Sequence, residues 1–179
     1  MEKTTGHGLS MQRLVFLAVL IAVQLVLGRF SFGTNYLKVT LTFVVAALIG
    51  YWYGPFYAAV ASGVSDLVGA ILFPNGPFNP AFTLVAIFSG FVFGWLLDQR
   101  KMPQVKWNRV LLTAVIINLI SNLAFNTLII HLMYRASFWP LFWLRLPKEL
   151  LMIPIYFVGI YFILQMVERL RLNERLGDR

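Results

Sequence analysis

The sequence predicts an all-α integral membrane bundle of six transmembrane helices, a single domain over residues 1–179 with both termini cytoplasmic. Three observations carry this. Apolar residues make up 59% of the chain and charged ones 12%, too little polar cover for a soluble domain of this length. Apolar runs recur from Leu14 to Arg169 rather than forming one leader. The runs are close to the roughly 20 residues that an α-helix needs to cross a bilayer.

The helices are expected near 10–29, 37–53, 55–73, 80–98, 107–131 and 147–168. The N-terminus MEKTTGHGLSMQRL lacks a small-residue cleavage pattern after its first apolar run, so that run reads as a retained helix. Little more than Gly54-Pro55 separates the second and third, a tight hairpin. The adjoining Tyr51, Trp52 and Tyr53 suit an interfacial aromatic belt. Pro74, Asn75, Gly76 and Pro77 mark a turn after the third helix, and Asp98, Arg100, Lys101 and Pro103 a charged loop after the fourth.

An even number of spans puts both termini on one side. That side collects Lys3, Arg13, Arg100, Lys101, Lys106, Arg109, Arg169, Arg171, Arg175 and Arg179. The other side holds Arg29, Lys38, Arg135, Arg145 and Lys148. The positive-inside rule makes the richer side cytoplasmic. The net charge of +8 is therefore read as membrane topology. Bases scattered over loops do not make a nucleic-acid surface. The outer bases either snorkel to lipid phosphates or face an anionic ligand.

Polar side chains in hydrocarbon are costly and usually face a bundle interior or a cavity. Asp66 lies within the third helix, and Asn118, Asn122 and Asn126 form a polar stripe at four-residue spacing in the fifth. The turn Phe73-Pro74-Asn75-Gly76-Pro77-Phe78-Asn79-Pro80 adds two amides at the outer surface. Small residues recur at the same spacing: Ala18 and Ala22, Ala61, Ser65 and Gly69, and Gly90 with Gly94. Such faces pack helices closely or dock a partner.

Several chemistries lack their signatures. There is no GxxxxGK[ST] phosphate loop, no HExxH and no dense His/carboxylate cluster, so neither ATP binding by that route nor a metal site is expected. The absence of cysteine excludes disulfides and thiolate metal sites. Ser65 and His131 could in principle form a nucleophile–base pair, but Asp66 stands where close backbone approach would be wanted. No channel filter and no inverted repeat are evident. No enzyme activity and no cofactor are expected.

The segments LAVLIAVQLVLGRFSFG (17–33) and YLKVTLTFVVAALIGYWYGPFYAAVASGVSDLVGAILFPNGPFNPAFTL (36–84) resemble the substrate-binding S components of energy-coupling-factor (ECF) vitamin transporters. The resemblance spans nearly the whole chain. Within the family it is most similar to folate-specific members, through Arg29-Phe30, the FPNGPFNPAFTL turn and the basic outer loops. It implies a high-affinity folate-binding subunit of a bacterial plasma membrane, working with a membrane scaffold subunit and two ATPases. The alternatives are an S component for pantothenate or riboflavin, or a ligand-free scaffold or assembly factor.

Folate joins a flat pterin through an aminobenzoyl ring to a glutamate with two carboxylates. The pterin's N–H edge suits Asp66, Asn75 and Asn79, with Asn122 on the polar stripe. Its faces suit stacking on Phe30, Phe78 or Phe82. The carboxylates suit Arg29, Arg135, Arg145 or Lys148, the last discounted because Glu149 adjoins it. The family's docking motif, AxxxAxxxA on the first helix, is matched by Ala18 and Ala22 but flanked by Leu14 and Val26.

Overall fold

The structure is a computed structural model that describes residues 10–32, 39–73, 79–101 and 104–170. It is all-helical apart from one two-residue antiparallel rung. The elements are α1 (Met11–Leu27), β1 (Ser31–Phe32), β2 (Val39–Thr40), α2 (Thr42–Leu72), α3 (Pro80–Leu97), α4 (Trp107–Ile116), a π-helical segment (Ile117–Phe125), α5 (Asn126–Tyr134) and α6 (Phe138–Arg169). Among the described residues, four helical stretches are long and apolar enough to span a bilayer: Thr42–Leu72, Pro80–Leu97, Trp107–Tyr134 and Phe138–Arg169. α1, with 17 residues, is shorter.

α2 is two arms rather than one rod. At Gly54 the backbone takes φ 77°, ψ −174°, and Pro55 follows. That positive φ is open to glycine at little steric cost, and the proline cannot supply an N–H to continue the first arm. A straight 31-residue helix would run roughly 46 Å. Yet both ends of α2 reach the same end of α1. Thr42 lies against Gly28, and Gly69 and Phe73 accept hydrogen bonds from Arg29. The bend lies at the opposite end, where the Tyr53 hydroxyl donates to the Arg13 carbonyl at 2.7 Å. The chain therefore doubles back at Gly54.

α3 packs antiparallel to the second arm through its glycines. A Cβ on Gly90 would stand 2.3 Å from the Ala58 carbonyl oxygen, and one on Gly94 would stand 2.4 Å from Pro55 Cα. The GxxxG pair is thus internal packing, which lets two backbones meet. The stretch Trp107–Tyr134 then runs antiparallel to α6. Glu168 accepts a hydrogen bond from the Val105 backbone N–H at one end, and the His131 ring meets the Phe138 ring, 6.1 Å between centroids, at the other.

Four expectations are corrected. Tyr51, Trp52 and Tyr53 are buried rather than forming a lipid-facing belt, because the arms of α2 fold them into the core with Phe43, Ile49 and Leu97. The second helix starts at Thr42 rather than at 37, since β2 pairs with β1 in the register Ser31↔Thr40. α6 starts at Phe138, not 147, so Arg145 is helical rather than in an outer loop, and Pro147 sits inside the helix. The fifth helix runs on to Tyr134 and widens to a π-helix around the Asn stripe. There the Asn118 side-chain amide donates at 2.8 Å to the Ala114 carbonyl, the acceptor its own N–H would use in a regular α-helix.

Candidate ligand-binding site

At the end of the bundle opposite Gly54, the helices enclose a cavity of about 920 Å³. Its walls come from α1 (Gln24, Gly28, Arg29), both arms of α2 (Phe43, Ser62, Asp66, Phe73), α3 with its cap (Asn79, Phe82, Ser89), the π segment (Asn122), α5 (Ile130, Tyr134) and α6 (Tyr156). Six stretches of sequence, from residue 24 to residue 156, thus converge on one space.

The polar groups are held by local geometry. Asp66 projects from the second arm of α2, and the buried Thr83 hydroxyl on the first turn of α3 donates to its Oδ2 at 2.7 Å. A carboxylate anchored through one oxygen can accept further N–H donors. Asn79 caps α3, its Oδ1 accepting from the Ala81 N–H at 2.9 Å, with Pro80 at the first helical position. That pairing is favoured because the first turn leaves N–H groups without intrahelical partners. Gln24 is the one amide in the apolar stretch of α1 from Leu14 to Leu27; its Oε1 is buried with no partner among the described residues. Gln24 and Asp66 together give the cavity an acceptor-rich wall.

Arg29 and Asp66 are the charged residues lining the cavity among the described residues. The Arg29 Nη2 donates to the carbonyls of Gly69 and Phe73, both at 3.3 Å, and its guanidinium carbon lies 3.5 Å from the Phe73 ring centroid. It therefore caps the C-terminal end of α2, where helix carbonyls lack partners, and lies on the cavity rim. Aromatic surface is supplied by Phe73, Phe82 and Phe43, whose ring stacks on Tyr156 at 4.0 Å and 17°. The Tyr156 hydroxyl lies beside the Asn122 amide.

Of the residues expected from sequence, Arg29, Asp66, Asn79, Phe82 and Asn122 are brought together here. Asn75 and Phe78 lie outside the described residues. Phe30, Arg135, Arg145 and Lys148 do not line the cavity. Phe30 is exposed, and Arg135 ends α5 in a left-handed conformation, φ 51°. Arg145 and Lys148 lie on α6 beside Glu149, with Lys148 Nζ 3.3 Å from Glu149 Oε1. Ser65 also lines the cavity, but His131 Nδ1 is engaged with the Ala136 carbonyl. Gln24, Thr83 and Tyr156 were missed. Gln24 carried a signal, as a lone amide in an apolar span.

Ala18 and Ala22 are both exposed on α1. With Leu14 and Val26, 52% and 56% exposed, they form an exposed stripe at four-residue spacing.

The chain matches the family described as ECF transporter, substrate-specific component, over residues 12–164. It is 35% identical to the folate transporter FolT of Leuconostoc mesenteroides over 174 residues, covering 92% of each chain. It is 32% identical to FolT of Clostridium novyi over 165 residues, covering 92% of this chain and 94% of that one. A crystal structure of FolT bound with folic acid superposes with a TM-score of 0.78 at 31% identity, covering 86% of this chain and 93% of that one. A multi-helix membrane bundle with a walled cavity fits these likenesses, and the chain belongs to the family of substrate-specific components of ECF transporters, which bind transport substrates and are not enzymes.

Proposed function

We propose that this protein is the folate-binding subunit of an ECF-type transporter in the cell membrane. The observation that carries the reading is the chemistry of the cavity. Asp66 and Gln24 supply acceptors for the N–H edge of a pterin. Phe43, Phe73, Phe82 and Tyr156 supply flat apolar surface for its rings, and Arg29 stands on the rim for the acidic end. The likeness to FolT proteins supports the same ligand.

Counting the two arms of α2 separately, six helical segments run between the ends of the bundle, and all six cross the membrane. The termini face the cytoplasm with the richer set of bases, and the cavity opens outward. Transport then needs partners: a membrane scaffold subunit and two ATPases, as the family implies. The exposed Leu14–Ala18–Ala22–Val26 stripe on α1 is the proposed docking face, since small side chains allow close helix approach. Asn75 and Phe78 remain proposed ligand contacts beside Asn79.

The test is calorimetric. Purified wild type and Arg29→Ala are titrated with folate and with a pterin that lacks the glutamate. The reading expects both ligands to bind wild type, and Arg29→Ala to weaken folate more than the truncated pterin. Failure of wild type to bind either ligand would overturn it.

A further inference from the structure

The π-helical segment Ile117–Phe125 lies between α4 and α5 in the bilayer-spanning stretch Trp107–Tyr134. At its end the Asn126 N–H reaches back five residues to the Ser121 carbonyl, where an α-helix would reach back four. Such wide turns are rare and gather at functional sites.

Burial along the stretch shows what the widening does. Ala114 and Leu132 would share a face of a continuous α-helix at 3.6 residues per turn. Ala114 is fully buried, yet Leu132 is 69% exposed. Asn118 and Thr127 would stand on opposite faces, roughly 180° apart, yet both are fully buried. Ile117 and Ile130 both line the cavity, although a continuous α-helix would set them roughly 140° apart. A turn closed by an i→i+5 bond holds one residue more than an α-turn, which sets back all that follows by roughly 100°. The nine residues of the segment make about two such turns. The outer part of the stretch is thereby swung by roughly half a turn. Ile130, Met133 and Tyr134 face the cavity as a result, and Leu128 and Leu132 are turned out.

We infer that Asn118 is a positioning residue for the ligand site: its amide holds the wide turns, and the register they impose places Ile130, Met133 and Tyr134 on the cavity wall. Asn118 does not line the cavity itself. Its Nδ2 donates at 2.8 Å to the Ala114 carbonyl, which its own N–H would otherwise claim. Its Oδ1 is buried with no partner among the described residues. An apolar side chain of similar shape would spare that unmet acceptor, so stability alone does not account for the amide. Without the amide, the Ala114 carbonyl returns to the backbone ladder, the turns tighten and the outer part rotates back. Leu128 and Leu132 then turn inward, and the cavity loses one wall. The inference rests on the folate reading for the ligand's identity, but not for the register.

The test uses the purified full chain with Asn118→Leu, which keeps the bulk and removes the amide. Asn118→Ala carries the comparison if Asn118→Leu does not fold. Calorimetric titration should show folate and the pterin lacking glutamate both weakened about 10-fold or more, because a displaced wall affects any occupant. The register is read separately, in lipid vesicles, from a nitroxide label on Leu128→Cys or Leu132→Cys, each the sole cysteine in the chain. With Asn118 present, oxygen dissolved in the bilayer should reach both labels readily. With Asn118→Leu that access should fall as the labelled positions turn inward, a change that loosened packing would not produce. If wild type binds neither ligand, the functional reading fails, while the labels still decide the register. Wild-type affinity in Asn118→Leu, or unchanged oxygen access at both labels, would each overturn the inference.

Discussion

The Thr83 hydroxyl donates a 2.7 Å hydrogen bond to the Asp66 carboxylate across the interface of α2 and α3. The bond fixes the carboxylate on the cavity wall, where the proposed pterin edge would meet it. Asp66→Asn should therefore weaken folate and the truncated pterin alike, by about 10-fold or more, since a hydrogen bond to a charged group is worth on the order of 1.5–3 kcal/mol. Thr83→Val removes the anchor while keeping the shape, for a loss of roughly fivefold. Titration calorimetry reads both. Wild-type affinity in Asp66→Asn would remove the carboxylate from the site.

The α2–α3 contact makes a separate claim about stability. Gly90→Ala would drive a Cβ to 2.3 Å from the Ala58 carbonyl oxygen, a backbone atom with no rotamer to change. A loss of about 1–3 kcal/mol follows from overpacking, read as a lower melting temperature in detergent. Gly69→Ala is the control, because its nearest neighbour is the Leu25 side chain at 3.5 Å. It should melt at or above the wild-type temperature, as helix propensity favours alanine. Equal melting of both variants would contradict the packing described.

Much of this architecture was legible in the sequence because a few residues have only one physical use. Gly54-Pro55 interrupts an apolar run and reads directly as the bend. Asp66 and Asn122 are too costly in hydrocarbon to be left facing lipid, and both line the cavity. What was not legible depends on neighbours distant in sequence. Tyr51, Trp52 and Tyr53 have the composition of an interfacial belt, and only the return of the second arm buries them. Tyr156 looks like any lipid-facing aromatic until Phe43 stacks on it. The residues FWPLFWLRL before Pro147 carry two exposed tryptophans and an arginine, which suited a loop, yet they begin α6. The π segment has no composition signature of its own. It follows from one side-chain amide taking a backbone acceptor.

Topology is accessible through the absence of cysteine. A single cysteine at Tyr134, on the cavity end, should react with a membrane-impermeant maleimide applied outside intact cells. One at Gln99, near the bend, should react only after the membrane is opened. The reverse pattern would invert the orientation.

The proposed docking stripe on α1 lies outside the cavity, so docking should separate from ligand binding. Ala18→Trp and Ala22→Trp should abolish co-purification with the scaffold subunit and stop uptake, while folate affinity of the isolated subunit stays within about threefold, as expected of a surface change away from the site. Normal uptake and co-purification in both variants would place the partner elsewhere.

The central claim is the identity of the ligand. The protein is expressed in cells grown with mixed vitamins and purified in detergent, and its bound small molecule is released for mass spectrometry and ultraviolet absorption. The account predicts a folate mass, with a pterin absorption band, in near one-to-one ratio with protein. Recovery of pantothenate or riboflavin, or of no small molecule together with no heat on titration with folate, would contradict it.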